Sequence, residues 1–216
     1  MILSLDTTSE FGSIALTEGD EVVEEILLHS PEGFGQILFQ HVGQLLERHS
    51  VSVDAMECFA AASGPGSFTG VRIGLAAAKG LAEAAGKKVA AVSNLRALAF
   101  FGSAPLRAVV LDARRGEVYG AVYNERLEAV EAESVMKFPD WLRTLPPRGF
   151  EFVSNDFSPF QSHVDPAVPV VAAPRALASA IGRIAWIEFQ AGRALDPMAI
   201  DANYVRRSDA ELKWKD

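Results

Sequence analysis

The residues best suited to chemistry lie in a glycine-rich loop, residues 64–70, between an apolar run and a helical segment. A strand, a glycine loop and a helix in that order can direct backbone N–H groups at an anion. The loop is not a Walker A motif, because Gly70 is followed by Val71 and Arg72 rather than by Lys and Ser or Thr. Its glycine spacing also differs from the Rossmann fingerprint. A phosphate site and a tight turn without a ligand both remain open.

A second candidate group consists of carboxylates and hydroxyls at the ends of two similar strands. Asp6 follows the first apolar strand, and Asp112 has the matching place in a later one. Such carboxylates can hold Mg²⁺, and neighbouring hydroxyls can donate to phosphate oxygens. Asp6 and Thr8 could equally make only local Asx and ST turns. The hypothesis of a vestigial nucleotide or phosphate site therefore comprises Asp6, Thr7, Thr8, Gly64, Gly66, Ser67 and Asp112.

Other common catalytic sites find no support in the sequence. The four histidines form neither an H-x-x-x-H pair nor an H-E-x-x-H motif. A single cysteine, Cys58, gives no structural zinc site and is typical of a small buried hydrophobe. The G-x-S-x-G elbow of the serine hydrolases is absent as well. We therefore expect no metal site made by protein ligands alone and no Ser-His-Asp triad.

The helix after the glycine loop carries small residues at every fourth position, namely Gly70, Gly74, Ala78 and Ala82. A glycine inside a helix loses about 1 kcal/mol relative to alanine, so Gly74 needs a special reason. The row could face outward and admit another helix, or it could pack on the protein's own sheet. We predict an outward partner surface, completed by apolar residues of a helix at 34–49: Ile37, Leu38, Val42 and Leu45.

The composition disfavours nucleic-acid-binding, secreted and membrane proteins. The net charge of −8 in 216 residues disfavours autonomous nucleic-acid binding, which normally needs a basic surface. One cysteine fits a reducing compartment. No apolar stretch approaches 18 residues, and the first residues lack the basic region of a signal peptide. We expect a cytoplasmic protein that does not enter a membrane.

The elements that position these residues follow an α/β order that occurs twice. Strands at 2–5, 13–16 and 21–28 precede the helix at 34–49, and buried strands at 58–63 and 89–92 flank the helix at 71–85. Residues 108–123 then repeat the opening layout of strand, Leu-Asp, polar turn and strand. We interpret this as a degenerate duplication with lobes at 1–104 and 105–216, although strand-Asp-turn-strand is a common arrangement. A later amphipathic helix opens at Pro174.

Four segments together resemble one family, TsaB (YeaZ), of tRNA threonylcarbamoyladenosine (t6A) biosynthesis proteins. The segments are ILSLDTTSEFGSIAL, SGPGSFTGVRIGLAAAKGLA, VSNLRAL and LDARRGEVYGAVY. The match covers about the first 125 residues well and the second half loosely. It implies an actin-like or Hsp70-like ATPase fold (ASKHA, RNase H-like) with two similar lobes, the second degenerate.

The resemblance also implies a role as the inactive paralogue and partner of a catalytic TsaD-like subunit. With a TsaE-like ATPase, such a pair transfers threonylcarbamoyl from threonylcarbamoyl-AMP to N6 of adenosine 37 in tRNAs that read ANN codons. TsaD-like chains carry a metal-binding V-N-H-x-x-x-H. Here Asn94 and Leu98 occupy the two histidine places, so we expect the metal chemistry to be lost.

Two other function classes remain open. One is a small ATP-dependent phosphotransferase or ATPase of the same fold, which would use Asp6, Thr8, the loop and Asp112. The other is a homodimeric scaffold. We expect no tightly bound cofactor, with ATP or ADP held weakly or only within a complex, and tRNA reached through that complex.

Overall fold

The chain folds into two α/β units, and this computed structural model describes residues 1–206. Unit 1 comprises Met1–Asn94 and Arg175–Asn203, and unit 2 comprises Leu95–Pro174 and the segment that starts at Tyr204. The predicted lobes, 1–104 and 105–216, differ from this division. The first boundary lies ten residues earlier than predicted, and residues 175–203 return to unit 1.

Unit 1 contains a five-stranded sheet in the order β3-β2-β1-β4-β5. Its first three strands are antiparallel, and β4 and β5 run parallel to β1. The strands are β1 (Ile2–Asp6), β2 (Phe11–Glu18), β3 (Glu21–His29), β4 (Cys58–Ala62) and β5 (Lys88–Val92).

Unit 2 contains a second five-stranded sheet, in the order β10-β9-β6-β7-β8. Read from its other edge, this is the order of the first sheet, with the same antiparallel and parallel pairs. The duplication inferred from the sequence is therefore confirmed. The strands are β6 (Leu106–Asp112), β7 (Glu117–Asn124), β8 (Ala129–Lys137), β9 (Phe150–Ser154) and β10 (Val170–Ala172).

Five α-helices occur among the described residues: α1 (Leu38–Arg48), α2 (Phe68–Ala85), α3 (Asn94–Ala99), α4 (Phe138–Leu142) and α5 (Ala178–Gln190). The end of α2 is fixed by Gly86, whose φ of 65° is the left-handed conformation that favours glycine. Within residues 1–206 no helix has both the length and the apolar character that a membrane span requires.

Helices cover both faces of the first sheet. On β1, Leu3 and Leu5 join the hydrophobic cluster that contains residues of α1 and α2. Ser4 lies between them in sequence, and its hydroxyl donates to the carbonyl oxygen of Ala178 in α5 at 2.7 Å. Because successive side chains of a strand point to opposite faces, α5 lies on the face away from α1 and α2.

Two hydrogen bonds hold the start of α5 on unit 1. The hydroxyl of Ser13 in β2 accepts the backbone N–H groups of Leu177 and Ala178, at 3.0 and 2.9 Å. These are orphan donors at the start of a helix, which must find partners. The second sheet has its own core around Phe138, Trp141 and Phe152.

Candidate functional site

Most of the predicted phosphate-site residues lie together where β1 ends and α2 begins. The backbone N–H and the hydroxyl of Thr8 both donate to Asp6 Oδ1, at 2.9 and 2.7 Å. Asn94 Nδ2 donates to Thr8 Oγ1 at 2.7 Å, and the N–H of Gly64 donates to Asn94 Oδ1 at 3.1 Å. A continuous hydrogen-bonded chain thus joins Asp6, Thr8, Asn94 and Gly64.

The Asp6 carboxyl is held inside this network. Asp6 is only 3% exposed to solvent. Burial raises the pKa of Asp6, and the hydrogen bonds from Thr8 oppose that rise. Among residues 1–206 no group of three or more His, Cys, Asp or Glu is placed to hold a metal ion. The arrangement is that of a carboxyl that fixes a turn.

Several N–H groups of the glycine loop are already bonded within the protein. Besides Gly64, Ser67 donates its N–H to the Thr8 carbonyl oxygen at 2.7 Å. The N–H of Gly70 donates to the Ser67 hydroxyl at 3.3 Å, so that Ser67 caps α2. These are the groups that a phosphate would need. The contacts favour the tight-turn alternative for this loop.

The glycines of the loop are explained by close approach to β1. A Cβ on Gly66 would lie 2.7 Å from the carbonyl oxygen of Thr8. One on Gly70 would lie 2.0 Å from the carbonyl oxygen of Thr7, whose hydroxyl donates to the Gly70 carbonyl oxygen at 2.7 Å. No side chain fits in such a contact. The glycine pattern therefore reflects packing of the loop on the end of β1.

Asn94 has a role that the sequence did not indicate. It is buried, and its amide accepts from one segment and donates to another. The general rule that buried amides are hydrogen-bonded could have suggested such a bridge, but not its partners. Leu98, at the second of the two histidine places, is fully buried.

Asp112 lies in unit 2 at the end of β6, the counterpart of β1. Its Oδ1 accepts the N–H of Arg114 at 2.8 Å, as Asp6 accepts the N–H of Thr8 two residues on. Both carboxylates therefore make an Asx turn, which was the open alternative for Asp6.

The prediction that the small-residue row of α2 faces outward is wrong. Gly70, Gly74, Ala78 and Ala82 are all buried in unit 1. A Cβ on Gly74 would lie 2.7 Å from the hydroxyl oxygen of Thr7. Gly70 and Gly74 have no side chain because Thr7, at the end of β1, lies against them.

The predicted interface residues of α1 are likewise part of the core. Leu38, Val42 and Leu45 are buried in the same hydrophobic cluster as the inner side of α2. Ile37 is only partly buried and packs against that cluster. These residues hold α1 on the sheet, so they are not available to a partner.

A different surface of the two helices is exposed. Phe39 of α1 is 57% exposed and Phe68 of α2 is 42% exposed. Gly43 in α1 and Gly80 in α2 are exposed, and nothing lies within 4 Å of a Cβ built on either. We call this surface the α1/α2 outer face, defined by Phe39, Gly43, Phe68, Ala76 and Gly80.

No contact among the described residues requires a glycine at position 43 or position 80. Each lies inside a helix, where glycine loses about 1 kcal/mol relative to alanine. Neither has a positive φ, and neither meets a neighbouring atom that would exclude a methyl group. The sequence contained this signal as a second row on α2, Ala76-Gly80-Ala84, offset by two residues from the buried one.

Sequence comparison places this arrangement among known proteins. The family model described as "TsaD: tRNA N6-adenosine threonylcarbamoyltransferase" matches residues 32–171. The chain is similar to the "tRNA threonylcarbamoyladenosine biosynthesis protein TsaB" of Bacillus subtilis, with 30% identity over 99% of this chain and 97% of that protein. A protein of the same name from Escherichia coli is 35% identical over 63% of this chain and 62% of its own length.

Solved structures extend the likeness to both units. A Pseudomonas aeruginosa protein, described by its similarity to "peptidase YEAZ", superposes with a TM-score of 0.81 and 26% identity. The superposition covers 95% of this chain and 99% of that one. A structure described as YeaZ from the same organism has a TM-score of 0.78, 26% identity, and coverage of 94% and 98%. The α/β fold with two related sheets is therefore the fold of these proteins.

Proposed function

Because the chain belongs to the TsaB (YeaZ) family of tRNA threonylcarbamoyladenosine biosynthesis proteins, we propose that it serves t6A biosynthesis as the partner of a TsaD-like enzyme. In this proposal it binds and activates the subunit that transfers threonylcarbamoyl from threonylcarbamoyl-AMP to N6 of adenosine 37. The substrates are tRNAs that read ANN codons. The single observation that carries the proposal is the likeness to TsaB over the whole chain.

The α1/α2 outer face is the surface proposed for the partner. It combines exposed aromatic side chains with helix glycines that permit close approach of backbones. In water, burial of the apolar atoms around such glycines supplies the free energy of association.

The fold that this chain shares with TsaD-like proteins supports a pseudo-symmetric pairing of the two subunits. The TsaD family model matches residues 32–171, a range that includes α1 and α2. A TsaD-like partner therefore has counterparts of both helices, and the two pairs can pack as a four-helix contact. A second copy of this chain presents the same surface, so that a homodimer competes with the heterodimer.

The chain contributes no catalysis of its own in this proposal. Asn94 and Leu98 stand where TsaD-like chains carry histidines, and both side chains are used internally. The N–H groups of Gly64, Ser67 and Gly70 are engaged as well, so these three are not open to phosphate. ATP or ADP then binds weakly, or only within the complex with the TsaD-like and TsaE-like proteins.

A reconstituted transfer assay tests the proposal. The chain, a TsaD-like protein and a TsaE-like ATPase of the same cell are combined with threonylcarbamoyl-AMP and a tRNA that reads ANN codons. We expect no t6A from this chain alone and a large gain in rate when it joins the other two. Turnover by the chain alone, or full activity without it, would contradict the proposal. ATP hydrolysis by the purified chain would favour the phosphotransferase class instead.

A further inference from the structure

Unit 2 contains a cavity of about 410 Å³ beside the start of β9. Residues 145–149, in the loop between α4 and β9, line one part of it, and residues 167–169, just before β10, line another. The volume lies within the range of ordinary ligand sites, about 300–1,000 Å³. None of the lining residues has a role in the proposed partnership. The cavity is therefore large enough for a small organic molecule that nothing above accounts for.

The apolar lining of this cavity is continuous with the core of unit 2. Four lining residues are partly buried and pack against the hydrophobic cluster of that unit: Leu142, Leu145, Phe150 and Val168. The Phe150 ring lies edge-on to the ring of Phe152, with centroids 5.2 Å apart and planes at 89°. Because Phe152 is almost fully buried, this contact holds Phe150 in place. An apolar group bound here would be removed from water against a preformed surface.

The backbone around the cavity is restrained. Three of the lining residues are prolines, whose rings fix φ: Pro146, Pro147 and Pro169. The carbonyl oxygen of Pro169 also accepts the N–H of Phe152 at 2.9 Å, which ties that segment to β9. A site that is already formed loses little conformational entropy when a ligand binds.

Arg148 is the one charged residue among the described residues that line the cavity. It is exposed, and within residues 1–206 it makes no hydrogen bond or ion pair with another residue. Two carboxylates lie near the lining segments in sequence, and neither lines the cavity. Glu151 accepts the N–H of Ala104 at 2.8 Å, and Asp165 accepts the N–H of Ala167 at 2.9 Å. The cavity thus combines an apolar surface with a single guanidinium that has no anion paired to it.

We propose that this cavity, which we call the α4–β9 site, binds a small carboxylic acid with an apolar body. The Arg148 guanidinium pairs with the carboxylate through two charge-assisted hydrogen bonds, a geometry that its planar fork favours. The apolar body of the acid, an aryl or branched alkyl group, lies against Phe150 and Val168. One guanidinium matches the single charge of such an acid. The inference rests on the cavity and does not depend on the proposed function.

Binding by the full chain tests the site. Calorimetry at low salt uses three acids of this class, namely phenylacetate, cyclohexanecarboxylate and 4-methylpentanoate. The acid that binds best is then compared with its own primary amide, which lacks the charge, and with acetate, which lacks the apolar body.

Three variants locate the binding. Arg148→Gln removes the charge and keeps a long polar side chain. Arg126→Gln is the matched control, since Arg126 is an exposed arginine of unit 2, between β7 and β8, that does not line the cavity. Ala167→Phe places a ring at an exposed lining position and leaves Arg148 unchanged. Melting temperatures verify that each variant is folded.

We expect at least one of the three acids to bind with a Kd below about 1 mM. Its amide and acetate should each bind at least tenfold more weakly. Affinity for the acid should fall at least tenfold in Arg148→Gln and in Ala167→Phe and stay unchanged in Arg126→Gln. NMR shifts should concentrate at residues 145–150 and 167–169. Lack of saturable binding by all three acids, equal affinity for the acid and its amide, or wild-type affinity in folded Arg148→Gln or Ala167→Phe would overturn the proposal.

Discussion

At the scale of single residues, the network of Asp6, Thr8 and Asn94 gives a structural role to side chains whose types suggested a nucleotide site. At the end of β1, Thr8 donates to Asp6, and Asn94 at the start of α3 bonds both Thr8 and Gly64 of the loop that follows β4. Unpaired buried polar groups cost roughly 1–3 kcal/mol each, so the network is a strong constraint on this turn. These residues hold the loop against the end of β1.

Asp6 should give stability a specific dependence on pH. Burial raises the pKa of its carboxyl in the folded state above the ordinary value of 3.8. The folded state therefore binds the proton more tightly than the unfolded chain does. The stabilisation is fully present below pH 3.8 and is lost as the pH rises through the folded-state pKa.

The variant Asp6→Asn isolates this effect, because the amide keeps an acceptor for Thr8 and does not ionise. We expect the stability of the variant relative to wild type to increase as the pH rises from below 4 to 7. Urea unfolding at several pH values measures the difference. Asp112→Asn is the control, because Asp112 is the partly exposed counterpart of Asp6 in unit 2. A difference between Asp6→Asn and wild type that is constant with pH would contradict the account.

At the scale of elements, α2 carries two rows of small residues with opposite environments. The inner row lies against Thr7, and the outer row belongs to the α1/α2 outer face. The same substitution should therefore have opposite effects in one helix. Substitutions at Gly74 and Gly80 therefore allow the effect of packing on stability to be measured separately from the effect of helix propensity.

Gly74→Ala should destabilise the chain, because its Cβ would lie 2.7 Å from the Thr7 hydroxyl oxygen. Overpacking of this kind costs typically about 1–3 kcal/mol. Gly80→Ala should stabilise it by about 0.5–1 kcal/mol, since nothing lies within 4 Å and alanine favours the helix. Chemical denaturation of both variants measures the two signs. A stabilised Gly74→Ala or a destabilised Gly80→Ala would refute the assignment of the rows.

The contrast shows what the sequence can predict. Periodicity predicted α2 and its stop at Gly86, and similar spacing predicted the duplicated sheets. Periodicity defines the faces of a helix, but it does not say which of two small rows is buried. That choice depends on the close approach of Thr7, which is distant in sequence. The same reason explains α5, whose place is fixed by Ser13, more than 160 residues earlier.

At the scale of the whole molecule, the chain combines a duplicated fold with an exposed surface on α1 and α2. In the proposed function, the α1/α2 outer face binds a protein of the same fold. The buried network at the end of β1 engages the N–H groups of Gly64, Ser67 and Gly70. A partner subunit that lends its surface to an enzyme needs these properties.

The affinity of the purified chain for a TsaD-like protein of the same cell tests this account most directly. The test variant is Gly80→Leu on the outer face, and Ala191→Leu is the matched control at an exposed position beside α5. We predict that wild type and Ala191→Leu form the same heterodimer, measured by calorimetry and mass. Gly80→Leu should remain folded and bind at least about tenfold more weakly, since overpacking a close contact costs about 1–3 kcal/mol and tenfold corresponds to about 1.4 kcal/mol. Absence of a complex with wild type, or wild-type affinity in folded Gly80→Leu, would contradict it.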